Sequence, residues 1–390
     1  MFKTIEQSFQ VSYRYKLFFT EGLFQVENHL FRDLIRSYKD EPVKLLFVID
    51  SGVAEAHPSL KEEISTYCEK YATNLSHTQN IIVQGGEACK NGEEHVNQVL
   101  DAINDYAICR HSFVVVIGGG AVIDMAGYAA AIAHRGVKLI RIPTTVLSQN
   151  DSAVGVKNSI NFFGKKNFVG TFAPPYAIIN DTLFLKTLEH RDWISGISEA
   201  LKVALIKDLD FFKFVEKNAL KLSKRDMEAM QYTIYRCAEM HMHHIAQGGD
   251  PFESGSSRPL DFGHWAAHKL EHLTNYKIRH GEAVAKGIVL DVAYAHLTGL
   301  ITEQDFNRVV SVFQNIGFDL SFPLDSDQEV SQLLKGIEEF REHLGGKLTI
   351  TLISAIGVKH DVHEIDEDLM KEALNLVNEI SNLKQFNFAN

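Results

Sequence analysis

Four short apolar runs in the first third of the chain constrain the fold most. They are KLLFVID (Lys44 to Asp50), NIIVQGG (Asn80 to Gly86), SFVVVIGGG (Ser112 to Gly120) and VKLIRIPTT (Val137 to Thr145). Between them lie HPSLKEEISTYCEKYA and EHVNQVLDAINDYAIC, whose apolar residues recur with helical period. Continuous apolar runs alternating with amphipathic helices are the pattern of parallel strands covered on both faces. An α/β, doubly wound nucleotide-binding domain is therefore expected over residues 1–180. From about Asp181 the texture changes to long amphipathic stretches such as ISEALKVALIKDLDFFKFVEKNAL. A mostly helical second domain is expected over residues 181–390, with KLTITLISAIG (Lys347 to Gly357) as a late strand that pairs locally. No internal repeat is visible.

A chain of 390 residues, 45% hydrophobic and 23% charged, can bury two cores of ordinary size. With 39 basic against 50 acidic residues the net charge is −11, which argues against a general nucleic-acid binder, although a local cationic pocket stays open. The four cysteines, Cys68, Cys89, Cys109 and Cys237, have no C-x-x-C spacing and suggest neither a disulfide framework nor a thiolate zinc site. The N-terminal stretch is interrupted by polar and charged residues and lacks the apolar core of a signal peptide or membrane span, so a cytoplasmic protein is expected.

The segment IGGGAVIDMAGYAAA follows an apolar strand and opens a helix, so backbone amides at Gly119 and Gly120 can approach a phosphate at the positive helix end. A tight strand-to-helix turn is the other reading, because the glycines are consecutive and do not form G-x-G-x-x-G. Glu87 and Lys90 in QGGEACK follow another strand end, where ligands of open parallel sheets gather. Asp50 suits either a ribose hydroxyl or a helix cap. PTTVLSQNDSAVGVKNSINFFGKKNFVGTFAPP is read as a loop in which Asp151, Lys157, Lys166 and Asn167 sit among small residues, either as a phosphate and hydroxyl pocket or as a solvated charged loop. Further on, FGHWAAHKLEHLTNYKIRHGEAV places His264, His268 and His272 four apart on one helix face, with His280 after the next turn. Imidazoles converging with a carboxylate suit Zn2+, while a solvated histidine-rich helix is the alternative. Glu199 and Lys202 in ISEALK, one turn apart, read as a surface ion pair or, for Glu199, as the missing carboxylate ligand.

The collinear series GGE-x-x-K, GGG-x-x-x-D-x-A-G, H-R-G, PTT-x-L-x-Q-x-D-S-x-V-G-x-K, KN-x-x-G, SEALK, FGH-x-x-x-H and HGEAVA, from about Gly85 to Lys286, resembles the dehydroquinate synthase superfamily, the sugar phosphate cyclases. The resemblance implies an NAD-binding α/β domain, a helical metal-binding domain and a homodimer. Its zinc ligands, for which Co2+ is a possible substitute, would be Glu199, His264 and His280. Its NAD set would be Asp50, Glu87, Lys90, Gly119, Gly120, Asp124, Thr144, Thr145 and Thr182. Substrate contacts and catalytic groups would be Asp151, Lys157, Lys166, Asn167, Lys202, Asp261 and His268, with Arg135 reaching the neighbouring subunit's phosphate site. The implied chemistry is oxidation of an alcohol by NAD+, elimination of phosphate, return of the hydride, ring opening and intramolecular aldol addition.

Departures from the dehydroquinate synthase pattern bear on the substrate. That enzyme grips a substrate carboxylate with a lysine in a K-A-x-V-V segment and an arginine shortly before L-N-F-G-H. Here the lysine's place falls at His243 or a neighbour, the arginine's at Ser257 with Arg258 displaced by one, and Asn before F-G-H is Asp261. A late D-K-K becomes a stretch with Arg341, Glu342 and His343. These changes resemble the valiolone synthase branch, which cyclises sedoheptulose 7-phosphate. The alternatives are a 3-dehydroquinate synthase with a rearranged carboxylate site that uses Arg258 or Arg341, and a metal-dependent polyol or glycerol-phosphate dehydrogenase.

Overall fold

The structure, a computed structural model, describes residues 4–249, 251–252, 259–324 and 326–388. It forms two compact units, Met1–Pro143 with Val156–Asp181, and Thr144–Gly155 with Thr182–Asn390.

The first unit is built on a six-stranded parallel sheet. Its strands are β1 (Lys16–Thr20), β2 (Val43–Asp50), β3 (Leu75–Val83), β4 (Phe113–Gly118), β5 (Lys138–Pro143) and β8 (Ala177–Asp181), in the order β1-β8-β5-β4-β2-β3. The expected α/β class holds, and the four apolar runs are four of these strands. Every residue of β4 is buried, as a strand covered on both faces requires. Helices α1 (Leu60–Lys70) and α2 (Glu94–Asp105) bury Ile64, Tyr67, Val96, Val99 and Ile103 and leave their charged faces to solvent. Strands β1 and β8 were not among the expected strands. Their side chains are too few and too mixed to show a period alone, and they become strands by pairing with each other from Lys16 opposite Ala177 to Thr20 opposite Asp181.

The segment expected to be one functional loop is instead largely an antiparallel hairpin, β6 (Lys157–Phe162) with β7 (Lys165–Phe172). The hairpin rests against helix α3 (Gly120–Ile132) at Gly127, where a Cβ would lie 2.0 Å from Asn158 Oδ1. The last glycine of GGG-x-x-x-D-x-A-G thus has a packing cause.

The second unit is mostly helical around one apolar cluster, as expected. The long amphipathic stretch is two helices, α4 (Ile197–Lys207) and α5 (Leu209–Ser223). Asp208 separates them, because its side chain accepts from the Asp210 and Phe211 amides and starts a new helix. Three further helices carry the histidines: α6 (Met227–Gln247), α7 (His264–Leu273) and α8 (His280–Leu297). The late strand is β9 (Ile350–Ala355), paired with β10 (Val358–Val362).

Two glycines let α8 meet the start of α7 backbone to backbone. A Cβ on Gly287 would stand 2.0 Å from the Gly263 carbonyl oxygen, and Gly263 itself is left-handed at φ +77°. A Gly287→Ala variant is therefore expected to lose about 3 kcal/mol, at the upper end of overpacking costs, because the obstacle is backbone and not a flexible side chain. Chemical denaturation checks this, and a variant as stable as the parent would contradict the close approach. Among the described residues no helix is long and apolar enough to cross a membrane, and all four cysteines are unpaired.

Candidate active site

In the first unit the candidate nucleotide residues gather at the carboxyl ends of the strands. Asp50 closes β2, caps the short helix Ser51–Ala56 through the Gly52 amide at 2.9 Å, and is buried. Burial pushes its carboxyl above the ordinary range, and the amides of Gly52, Gly119 and Val53 partly offset this. A Cβ on Gly85 would fall 2.2 Å from Asp50 Oδ1, and one on Gly118 would be 3.0 Å from Asp50 Cβ. Glycine at both places leaves room for the Asp50 side chain itself at the strand ends. Gly119 and Gly120 begin α3 from an extended, not left-handed, conformation.

Lys90 ends the 3-10 turn Glu87–Lys90 and is 2% exposed. Its ammonium is 2.8 Å from Asp124 Oδ2 and also donates to Asn167 Oδ1. Lys90, Asp124 and Asn167 are thus brought together by three distant segments. Glu87 accepts from Asn161 Nδ2 at 3.1 Å. Asn167 has φ +56°, its Oδ1 accepts from Ser159 Oγ at 2.9 Å, and its backbone amide donates to Asn161 Oδ1 at 2.9 Å. Lys157 is exposed and Lys166 half-buried on the hairpin. Arg135 is exposed after α3, with His134 and Arg135 at φ +51° and +62°. Thr144, Thr145 and Thr182, expected with the nucleotide residues, fall in the second unit, where the Thr145 hydroxyl is 2.8 Å from Ser148 Oγ.

The second unit assembles a buried polar centre. Glu199 and Lys202 lie one turn apart on α4, 0% and 2% exposed, and form a direct ion pair, so the surface reading of ISEALK is excluded. Glu199 Oε1 is 3.8 Å from His264 Nε2 and 3.6 Å from His280 Nε2. One ligand atom from each of these three residues lies within 4.8 Å of the others. Burial raises the Glu199 carboxyl most, but the Lys202 ammonium, His280 and His264 together outweigh it and hold the group low, at about 2. Lys202 feels the converse: burial disfavours its charge, and Glu199 with Asp151 more than restore it. His264 is pushed down to about 4 by burial and then by Lys202, which leaves a neutral imidazole at neutral pH. Beyond the Lys202 ion pair, neither buried Glu199 oxygen accepts a well-formed hydrogen bond among the described residues. A carboxylate oxygen, Oε1, left without a well-formed hydrogen bond and facing two imidazole Nε2 atoms fits a divalent cation of the zinc type.

Asp151 lies in the single turn Ser148–Ser152. Burial raises its carboxyl, yet Lys202 and then His241 carry it well below the usual range. His241 Nδ1 stands 3.0 Å from Asp151 Oδ1. Of the histidines in the stretch where the lysine was expected, His243 is exposed and His241, two residues earlier, is buried. The signal was present: Thr233, Cys237 and His241 recur every four residues as the buried stripe of α6. His268 is exposed, with its ring 5.4 Å from that of His264. His272 is exposed and belongs to no candidate metal group among the described residues. Asp261 is half-buried and within electrostatic reach of Lys202. Arg341 is paired with Glu338 on the exposed face of its own helix. Ser257, Arg258 and the side chain of His343 lie outside the described residues.

Behind the site, Asp291 of α8 is fully buried and accepts from Trp265 Nε1 at 2.8 Å and from the Gly263 amide at 3.0 Å. It thereby fixes the turn that delivers His264. Burial pushes its carboxyl up to about 7 from 3.8, against the two donors. An acid that holds its proton more tightly when folded contributes stability that is complete below its unfolded pKa and is lost as pH rises through the folded one. Stability is therefore expected to fall between about pH 4 and pH 7 by an amount that Asp291→Asn removes, with that variant also losing about 1–3 kcal/mol for the donor left unpaired. Melting curves across this range check it, and equal slopes for parent and variant would contradict the assignment.

The comparisons agree with this geometry. The 3-dehydroquinate synthase N-terminal model matches residues 80–195 and the C-terminal model matches residues 196–339. A 3-dehydroquinate synthase of Shewanella frigidimarina is 32% identical over 335 residues, covering 86% of this chain and 90% of the relative. Among solved structures, 2-epi-5-epi-valiolone synthase from Streptomyces hygroscopicus subsp. jinggangensis 5008, with NAD+ and Zn2+ bound, superposes with a TM-score of 0.86 at 26% identity, covering 96% of this chain and 99% of that one. A 2-deoxy-scyllo-inosose synthase complexed with carbaglucose-6-phosphate, NAD+ and Co2+ shares the fold with a TM-score of 0.75 at 24% identity, covering 93% and 96%. With its motifs, both family models and near-full-length relatives in agreement, this chain belongs to the 3-dehydroquinate synthase family, the sugar phosphate cyclases.

Proposed function

We propose that the protein cyclises sedoheptulose 7-phosphate to a valiolone-type cyclitol with release of phosphate, using bound NAD and a divalent metal held by Glu199, His264 and His280. The observation that carries the substrate choice is His241. In the stretch where the resemblance puts the lysine that grips the substrate carboxylate, at His243 or a neighbour, this chain has the buried imidazole of His241 facing Asp151 at 3.0 Å. Any positive charge on that ring is matched by its partner. A substrate carboxylate buried there would lack a cation, at a cost of several kcal/mol. A neutral hydroxymethyl end carries no such penalty.

When bound, NAD would accept and later return one hydride, and the metal would polarise hydroxyl oxygens of a vicinal diol. Asp50, Glu87, Lys90 and Asp124, at the carboxyl ends of the sheet, would hold the nucleotide. Lys202, charged and paired with Glu199, would donate to a substrate hydroxyl oxygen, and with Asp151 would manage the hydroxyl protons. His268 and Asp261 would orient further hydroxyls. Lys157, Lys166, Asn167 and Arg135 would bind the phosphate and offset its charge as the C–O bond breaks. No net redox change results, since the hydride returns to the same molecule.

The second reading is 3-dehydroquinate synthase, the activity named for the Shewanella relative. Incubating the purified protein separately with sedoheptulose 7-phosphate and with the acid-bearing heptulosonate phosphate, while following free phosphate and NADH absorbance, separates the readings. Phosphate from the heptulose alone, without NADH accumulation, is expected. Efficient conversion of the acid sugar alone would establish the second reading, and stoichiometric NADH would indicate a dehydrogenase.

A further inference from the structure

The two histidines of the proposed metal site have their second ring nitrogens held by unlike partners. His264 Nδ1 donates to the Phe262 carbonyl at 3.1 Å, a neutral acceptor two residues away. His280 Nδ1 lies 3.1 Å from Glu271 Oε2, on a different helix. Glu271 is 4% exposed. A buried carboxylate against one nitrogen of an imidazole discriminates between tautomers. With the proton on Nδ1 the contact is a charge-assisted hydrogen bond; with the proton on Nε2, a ring lone pair faces the carboxylate and the contact turns repulsive. The favoured tautomer leaves the Nε2 lone pair free, and Nε2 is the atom that faces Glu199 at 3.6 Å.

We propose that Glu271 is a positioning residue that holds His280 in the Nδ1–H tautomer, fixes its ring plane and increases electron density at Nε2, so that metal affinity depends on it. The inference rests on Glu199, His264 and His280 being the metal ligands. Glu271 reaches this place because α7 buries a stripe at His264, Ala267 and Glu271, spaced three and four residues apart. Its ligand atoms, with those of His268 and His280, also form a group within 4.8 Å of one another. The test must therefore tell an orienting carboxylate from a ligand.

Glu271→Gln is the discriminating variant. Glutamine keeps the shape, but its amide can turn to accept from an Nδ1–H or donate to a bare Nδ1, so it no longer selects a tautomer. Co2+ and Zn2+ affinities of the full-length protein, measured by competition with a chelator, are expected to fall about 10–100-fold in Glu271→Gln. The visible absorption of the Co2+ form is expected to shift, while one metal still binds per chain and NAD affinity is unchanged. Parent-like affinity and spectrum in the variant would overturn the inference. A parent stoichiometry of two metals that drops to one, with the remaining affinity unaltered, would overturn it too, because Glu271 would then be a ligand. Parent protein that binds no metal would instead remove the metal site itself. Should Glu271→Gln fail to fold, the metal-free parent still answers, since nitrogen-15 correlation spectra of its histidines report the tautomer. His280 protonated at Nε2 would refute the proposal.

Discussion

A Glu199→Gln protein is expected to purify with almost no divalent metal and with no measurable cyclisation. The substitution preserves volume on α4 but removes the negative charge shared by His264 and His280, whose Nε2 atoms lie 3.8 and 3.6 Å from one carboxylate oxygen. Removing one member of a buried charged set costs about 3–5 kcal/mol, which corresponds to roughly two to four orders of magnitude in metal affinity. Elemental analysis after dialysis measures the loss directly. His264→Ala combined with His280→Ala should behave alike, and full metal occupancy in either protein would show that the cation is held elsewhere.

Lys202→Met is expected to damage stability as well as turnover. The ammonium is the main counterion of Glu199 and of Asp151, and all three groups are largely removed from water. Its loss leaves two carboxylates close together with less compensation, a change expected to cost about 3–5 kcal/mol of folding stability. Loss of proton transfer should reduce turnover about 10^2–10^4-fold. A double-mutant cycle isolates the coupling: Lys202→Met with Glu199→Gln should be more stable than Lys202→Met alone, because one of the uncompensated charges has gone. Denaturation of the metal-free proteins tests this without reference to catalysis. If the two destabilisations simply add, Lys202 and Glu199 are not the interacting pair that their geometry describes.

Sequence alone determined the parallel α/β unit and the helical texture after Asp181, because continuous apolar runs and 3.6-residue periods are local properties of the chain. It also singled out Glu199, His264 and His280, since motif order survives without knowledge of contacts, and the structure brings these three residues together. Tertiary structure alone decided what depends on distant segments. Strands β1 and β8 exist by pairing across more than 150 residues. The segment read as a loop is a hairpin because Asn158 packs where Gly127 leaves room. His241, and not His243, is the buried histidine because the helical stripe through Thr233 and Cys237 passes through it. Glu271 and Asp291 were silent in the sequence. Their roles consist of hydrogen bonds to His280, and to Trp265 and Gly263, made between helices whose approach is set by side-chain packing and by two facing glycines, and no local pattern encodes such an approach.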